Sequence, residues 1–108
     1  MSLSTHVLDI TTGLPAPELA VVVERCHRDA WQHLARACTD ADGRVRELYA
    51  PHAGVHRLRF DTGRYFVDRG VHTFYPEIVV TFQIVDEGAH HHVPLLLGPF
   101  GYSTYRGS

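Results

Sequence analysis

The chain has 108 residues, of which 44% are hydrophobic and 20% charged, a balance that excludes intrinsic disorder and leaves room for one domain, 1–108, near the lower limit of sizes that bury a workable core. The formal net charge is −2, and the ten basic residues, all arginine, are scattered rather than drawn into a stripe, which argues against nucleic acid as a partner. No apolar run is long enough to span a bilayer, and the opening MSLSTHVLDI lacks the basic and apolar regions of a secretory signal. With Cys26 and Cys38 as the only cysteines, the expectation is a cytoplasmic protein with inert, buried thiols.

The first predicted strand is THVLDI (5–10), stopped by TTGLPAP, whose glycine and prolines mark a loop. LAVVVERC (19–26) and AWQHLARAC (30–38) form a hairpin around HRD. Centring it near Asp29 sets Cys26 opposite residue 32 and Cys38 opposite residue 20, so the two cannot form a disulfide. TDADGR follows as an Asp- and Gly-rich turn ending on Arg44. GVHRLRFDT (54–62) alternates, with His56, Leu58 and Phe60 on one face and Val55, Arg57 and Arg59 on the other. GRYFVDRGV spaces Tyr65, Phe66 and Arg69 as a short amphipathic helix stopped at Gly70. PEIVVTFQIVD (76–86) reads as a strand opened by a proline, HHHVPLLLG (90–98) as the next strand and YSTYR (102–106) as the last. Short strands recurring between turn signals, with one helix, predict an all-β sandwich.

Nine histidines is a high number for this length, and three are consecutive. Alternation puts His90 and His92 on one strand face and His91 on the other with Val93, Leu95 and Leu97. His27, His33, His52, His56 and His72 are read as solvated or incidental to turns. His6 and His92 lie on strands beside apolar residues. Imidazole titrates near neutrality, so such a pair can hold one base and one donor and activate a water molecule. Arg44, delivered by a turn, adds a permanent charge with a planar fork of donors, suited to a carbonyl-rich ligand and to an oxyanion formed on it. A metal reading competes: His90 and His92 with His6 would supply the three imidazoles of a catalytic zinc site, although no carboxylate or cysteine is placed to complete or orient them. Serine-hydrolase elbow, phosphate-binding glycine loop and C-x-x-C pair are absent.

These segments, LSTHVLDITTGLPA, TDADGR, LRFDTGRYF, FYPEIVVTFQI and HHHVPLLLGPFGYSTYRGS, together resemble the 5-hydroxyisourate hydrolase branch of the transthyretin-like proteins, in order and spacing and over essentially the whole chain. The terminal YRGS is the most diagnostic part, since transthyretin itself lacks it. The resemblance implies a transthyretin-like (prealbumin-like) eight-stranded sandwich, assembled as a homotetramer with active sites in a channel at the dimer–dimer interface. It implies hydrolytic ring opening of 5-hydroxyisourate to 2-oxo-4-hydroxy-4-carboxy-5-ureidoimidazoline without metal or organic cofactor. It assigns catalysis to His6, Arg44, His92 and Tyr105, and substrate binding to His6, Arg44, Tyr105, Arg106 and Ser108. Two positions depart from the family pattern: His91 stands where an aromatic residue is usual, and Gly98 stands where serine is common, a change expected to loosen the bend before the last strand. Two other readings stay open: a transthyretin-like carrier using the same channel for an apolar ligand without turnover, and a zinc-dependent or metal-storage protein on the same fold.

Overall fold

The computed structural model describes residues 2–108. Its elements in chain order are β1 (Leu3–Asp9), β2 (Leu14–Pro15), β3 (Ala20–His27), β4 (Ala30–Cys38), β5 (Arg44–Tyr49), β6 (Gly54–Phe60), α1 (Thr62–Val67), β7 (Ile78–Ile84), β8 (His91–Leu97) and β9 (Tyr102–Thr104). Two sheets face each other. One runs β2-β1-β8-β9, with β5 sharing the β1 edge with β2; the other runs β4-β3-β6-β7. Alternation along the strands turns Leu3 and Val7 of β1, Val21 and Val23 of β3, Leu58 and Phe60 of β6 and Val93, Leu95 and Leu97 of β8 inward, all nearly inaccessible to solvent, and this shared apolar layer holds the sheets together.

The expected sandwich with one short helix is therefore present, with nine strands among the described residues where eight were expected. Two of them lie outside every segment read as a strand: β5 continues directly from the TDADGR turn at Arg44, and β2 is two residues of the predicted loop that hydrogen-bond to the end of β1, with Leu8 opposite Pro15 and Asp9 opposite Leu14. The predicted last strand over 102–106 is shorter, ending at Thr104. The HRD hairpin closes on Arg28 and Asp29, both at positive φ (52° and 62°), the conformation of a two-residue turn matched to strand twist. Near that turn Cys26 faces Trp31, one residue off the expected register. A bulge between Val23 and Glu24 restores it, so that Cys38 faces Ala20 as expected. Both cysteines are free, and both are exposed, correcting the expectation of buried thiols: Cys26 sits by the turn and Cys38 on β4, an edge strand whose side chains are mostly solvent-facing.

Two further expectations are corrected. His56 is fully buried rather than solvated, on the inward face of β6 and stacked on Phe82. Gly98 does not loosen its bend: its N–H donates to the carbonyl of Gly101 at 2.9 Å, and a Cβ there would lie 3.1 Å from that oxygen and 3.2 Å from Cδ1 of Ile10, so the absent side chain lets the turn into β9 close tightly. His91 is buried on the inward face of β8, as alternation requires.

The end of β1 is pinned by the short helix. The Tyr65 hydroxyl donates to the buried Asp9 carboxylate at 2.9 Å, which also accepts from the Thr11 backbone N–H and hydroxyl. Burial and the bond to Asp9 push the Tyr65 phenol up to about 12. A charge-assisted bond of this kind is worth about 1.5–3 kcal/mol. It fixes the strand that carries His6.

Candidate active site

On β1 the inward residues Leu3, Thr5 and Val7 alternate with Ser4 and His6, which face outward from the sandwich. β1 lies between two partners. In parallel register with β8 it sets Ser4 beside His92 and His6 beside Pro94; in antiparallel register with β5 it sets His6 beside Arg44. His92 has the same outward sense on β8, opposite to His91 and Val93. One outer sheet face thus carries Ser4, His6, Arg44 and His92 from three strands.

The turn before β5 is built to deliver Arg44 there. The Asp40 carboxylate accepts from the backbone N–H groups of Asp42 (2.8 Å) and Arg44 (3.0 Å), and the Asp40 N–H donates to the Arg44 carbonyl at 2.9 Å. Gly43 adopts φ +73° and packs directly on β1: a Cβ would collide with the Val7 carbonyl and reach 3.0 Å from the Ala16 nitrogen, so only glycine fits. The carboxylates of the turn bind Arg46, which lies 3.7 Å from Asp40 and 3.9 Å from Asp42. Arg44 itself is half-buried.

Ser4, Thr5, Arg44, Arg46, His90, His92 and Ser108 enclose a cavity of about 250 Å³. That is below the range of about 300–1,000 Å³ common for drug-sized ligands, so it suits a small polar ring. Of the residues expected to act, Arg44, His92 and Ser108 line it. His6 is half-buried beside Arg44 on the same face and is not part of the lining. Tyr105 and Arg106 line an adjoining groove of about 240 Å³ that shares His92 with the cavity and continues over Phe82 and Thr104; Tyr105 is 59% exposed. A larger cavity of about 630 Å³ between β3, β4 and α1 contains three acidic residues, three arginines and Cys38 but no histidine. Arg64 there is paired with Asp68 at 3.1 Å, and the cavity reads as a solvated trough.

His92 is held on three sides. Its Nδ1 is 2.7 Å from the Ser4 hydroxyl. Its carbonyl accepts from the Gly107 N–H at 2.8 Å, an isolated bridge that ties the tail back after β9. Its ring lies so close to Gly107 that a Cβ there would overlap it. Burial, then the charge of Arg44, then His90 and His6, hold the His92 imidazole below its ordinary value, leaving it neutral near pH 7 and able to accept a proton. Ser4, Arg46 and Gly107 were not singled out in the sequence, and His90 was considered there only as a metal ligand.

The metal reading finds no support in the geometry. The His90 and His92 rings stack 6.4 Å apart at 17°, bridged by Ser4 rather than aimed at a common point, and among the described residues no cluster of three or more His, Cys, Asp or Glu could hold a metal ion.

Residues 3–107 match the profile of the HIUase/Transthyretin family, and the chain belongs to that family of transthyretin-like sandwiches. Within it, the chain is 48% identical to the 5-hydroxyisourate hydrolase of Salmonella dublin over 98% of this chain and 80% of the relative. It is similar to the solved 5-hydroxyisourate hydrolase of Klebsiella pneumoniae (TM-score 0.88, 38% identity, covering all of both chains). It is also similar to sea bream transthyretin solved with thyroxine (TM-score 0.94, 34% identity, 99% and 95% of the two chains).

Proposed function

We propose that this chain is a hydrolase of urate catabolism that opens the six-membered ring of 5-hydroxyisourate to give 2-oxo-4-hydroxy-4-carboxy-5-ureidoimidazoline, with the whole of 1–108 acting as one domain. The observation that carries the reading is the small polar cavity bounded by His92, Arg44 and Ser108, with His6 on the same face. A carrier of apolar ligands would line this face with aliphatic, non-titrating groups.

In the proposed reaction His6 and His92 position a water molecule and take its proton as its oxygen attacks the ring carbonyl beside the scissile nitrogen. Arg44 holds substrate oxygens and stabilises the oxyanion. Collapse breaks the carbon–nitrogen bond, the proton passes to the departing nitrogen, and the new carboxyl group ionises. Tyr105, Arg106 and Ser108 contact substrate and close the pocket. General-base assistance is typically worth about 10²–10⁴ in rate and an oxyanion donor about 10²–10³. No metal or organic cofactor is required by these steps.

We place four copies in the working assembly, as a dimer of dimers. Phe74 (72%), Phe100 (66%), Tyr102 (43%) and Tyr105 (59%) are exposed around the short edge strand β9, with Phe74, Tyr75 and Tyr102 in edge-to-face contact at 5.1 and 5.5 Å; exposed apolar surface of this kind favours association. A second copy packed there would bury Tyr105 and complete the pocket. Two free cysteines favour a reducing compartment, the cytoplasm. Among the described residues no helix is long and apolar enough to cross a membrane.

The deciding measurement is the ultraviolet decay of freshly generated 5-hydroxyisourate, in chelator-treated buffer, with light scattering on the same sample. Accelerated decay by a particle of about four times 12.2 kDa is expected. Decay at the uncatalysed rate overturns the reading, as does parent-like turnover by His6→Ala or His92→Ala.

A further inference from the structure

The outer face of β1 carries a hydrogen-bonded chain that the hydrolytic steps above do not use. The Ser2 hydroxyl lies 2.6 Å from Nδ1 of His90, Nε2 of His90 lies 3.0 Å from the Ser4 hydroxyl, and the Ser4 hydroxyl lies 2.7 Å from Nδ1 of His92. Each link spans 86 or 88 residues of sequence. Ser4 is almost fully buried, whereas His90 is exposed.

Counting hydrogens restricts this chain to two states. A hydroxyl has one hydrogen and a neutral imidazole one N–H, so Ser4 donates to one histidine and must accept from the other. If Ser4 donates to His92, then His90 donates to Ser4, and His92 carries its hydrogen on Nε2. If His92 donates to Ser4, then Ser4 donates to His90, and the Nε2 of His92 is a free base. The two tautomers cannot be chosen independently.

We infer that Ser4 and His90 are positioning residues that set which nitrogen of His92 carries hydrogen and pass the proton gained at His92 outward to His90. The inference rests on the hydrolase reading for its kinetic consequence only. In the resting state His92 donates from Nδ1 to Ser4 and offers Nε2 to the substrate water. As the water O–H breaks and His92 Nε2–H forms, Nδ1–H passes to the Ser4 oxygen and the Ser4 hydrogen passes to Nε2 of His90. His90 then holds both ring hydrogens and the positive charge, and His92 is neutral again. When the departing nitrogen takes the His92 Nε2 hydrogen, the chain runs back and His90 returns to neutral.

The groups around His92 make this useful. Arg44 and Arg46 of β5 and His6 of β1 face it, Tyr105 and Arg106 of the tail flank it, and His91 lies on the other side of β8. A charge left on His92 would stand in a partly desolvated site beside Arg44, whereas on exposed His90 it is hydrated.

The test uses protein labelled with ¹⁵N in histidine, comparing the parent with Ser4→Ala, Ser4→Thr and His90→Phe in two ways: imidazole nitrogen shifts through a pH titration without substrate, and kcat and KM on 5-hydroxyisourate. In the parent, His92 is expected as the Nδ1–H tautomer with a titration coupled to that of His90. Ser4→Ala should give His92 a mixed tautomer, decouple the pair, and lower kcat by about tenfold or more with KM within about twofold, part of the range open to general-base catalysis. Ser4→Thr, which keeps the hydroxyl, should restore the tautomer and most of kcat. His90→Phe should lower kcat and move the acid limb of its pH profile, and it serves if Ser4→Ala does not fold. Unchanged His92 nitrogen shifts in Ser4→Ala, or in His90→Phe in that event, overturn the relay. Unchanged kcat in the variants overturns its part in the reaction. If the parent itself leaves 5-hydroxyisourate untouched, the hydrolase reading falls and the nitrogen shifts alone decide the relay.

Discussion

Gly107→Ala isolates the contact between the tail and His92. Gly107 lies outside every strand and helix, yet an added Cβ would overlap Cδ2 of the His92 ring and stand 3.2 Å from Cγ and 3.4 Å from Cβ of that residue. Carbon atoms settle at about 3.5–4.0 Å, so the alanine methyl requires a displacement of about 1 Å or more. Rotating the ring breaks its 2.7 Å bond to Ser4; moving the tail breaks the 2.8 Å bond from the Gly107 N–H and shifts Ser108 out of the cavity lining. Either way a site group leaves its place, and a misplacement of about 1 Å costs on the order of 10²-fold in rate. Stability should fall by only about 0.5–1.5 kcal/mol, the net worth of the one hydrogen bond broken, because no core contact is touched. The assay is kcat/KM from 5-hydroxyisourate decay, paired with a thermal melt. Parent-like kcat/KM would refute the reasoning, and so would a loss of activity matched by a large fall in Tm, which would make Gly107 a determinant of the fold instead.

Arg44→Gln should lower kcat/KM by about 10²–10³ and also move its acid limb. Arg44 helps hold His92 below the ordinary imidazole value, so the parent keeps its base form as pH falls below about 6.5, whereas the variant should lose activity at higher pH; an acid limb that stays in place would count against His92 as the base. His56 is fully buried, with Nδ1–H donating to the Gly54 carbonyl at 3.0 Å and Nε2 unpartnered among the described residues, and burial foremost pushes its imidazole down. Its folded value is below its unfolded one, so the stability it contributes is full above about pH 6.5 and is lost as pH falls toward the folded value. His56→Leu should therefore gain Tm relative to the parent at pH 5 compared with pH 7; parallel Tm curves would refute the assignment. Deleting residues 105–108 removes no core strand and should leave the melt intact while abolishing most ring opening, and a fully active truncated protein would refute the role of the tail.

The strands were legible where a single period of two governs burial: 54–62, 76–86 and 90–98 each contain the observed strand, and the face assigned to His91 follows from its neighbours alone. What escaped depends on partners distant in sequence. The bulge at Val23 is set by pairing to β4, not by composition. His56 is buried because its inward position on β6, shared with Leu58 and Phe60, outweighs the polarity of the ring, although alternation had already placed it with those two residues. At the site, Arg44 could be singled out as the end of a turn, and His6 and His92 as histidines among apolar strand residues. Ser4 acquires meaning only through a parallel pairing that brings it beside His92, 88 residues away. Gly107 is informative only once the tail is seen to fold back onto that same histidine. Tyr105 was expected to arrive on a strand; it leaves the ladder after Thr104 and enters the adjoining groove instead.

Backbone likeness does not separate the two functional readings of this fold. Sea bream transthyretin, solved with thyroxine, superposes with TM-score 0.94, and the Klebsiella hydrolase with 0.88, so a carrier is at least as good a geometric match as an enzyme. A sandwich is specified by its inward residues, and those are interchangeable aliphatics in this chain: Leu3, Val7, Val21, Leu58 and Leu95 contribute volume and no chemistry. The proposed site occupies the opposite set of alternating positions, where Ser4, His6, Arg44 and His92 share one outer face. Polar groups held this closely at an outward site add nothing to packing, and gathering Arg44 near two imidazoles costs electrostatic free energy that a carrier of apolar ligands would have no cause to retain. In the proposed hydrolysis the same cost has a direct use, since it favours the unprotonated His92 that is to take a proton from water.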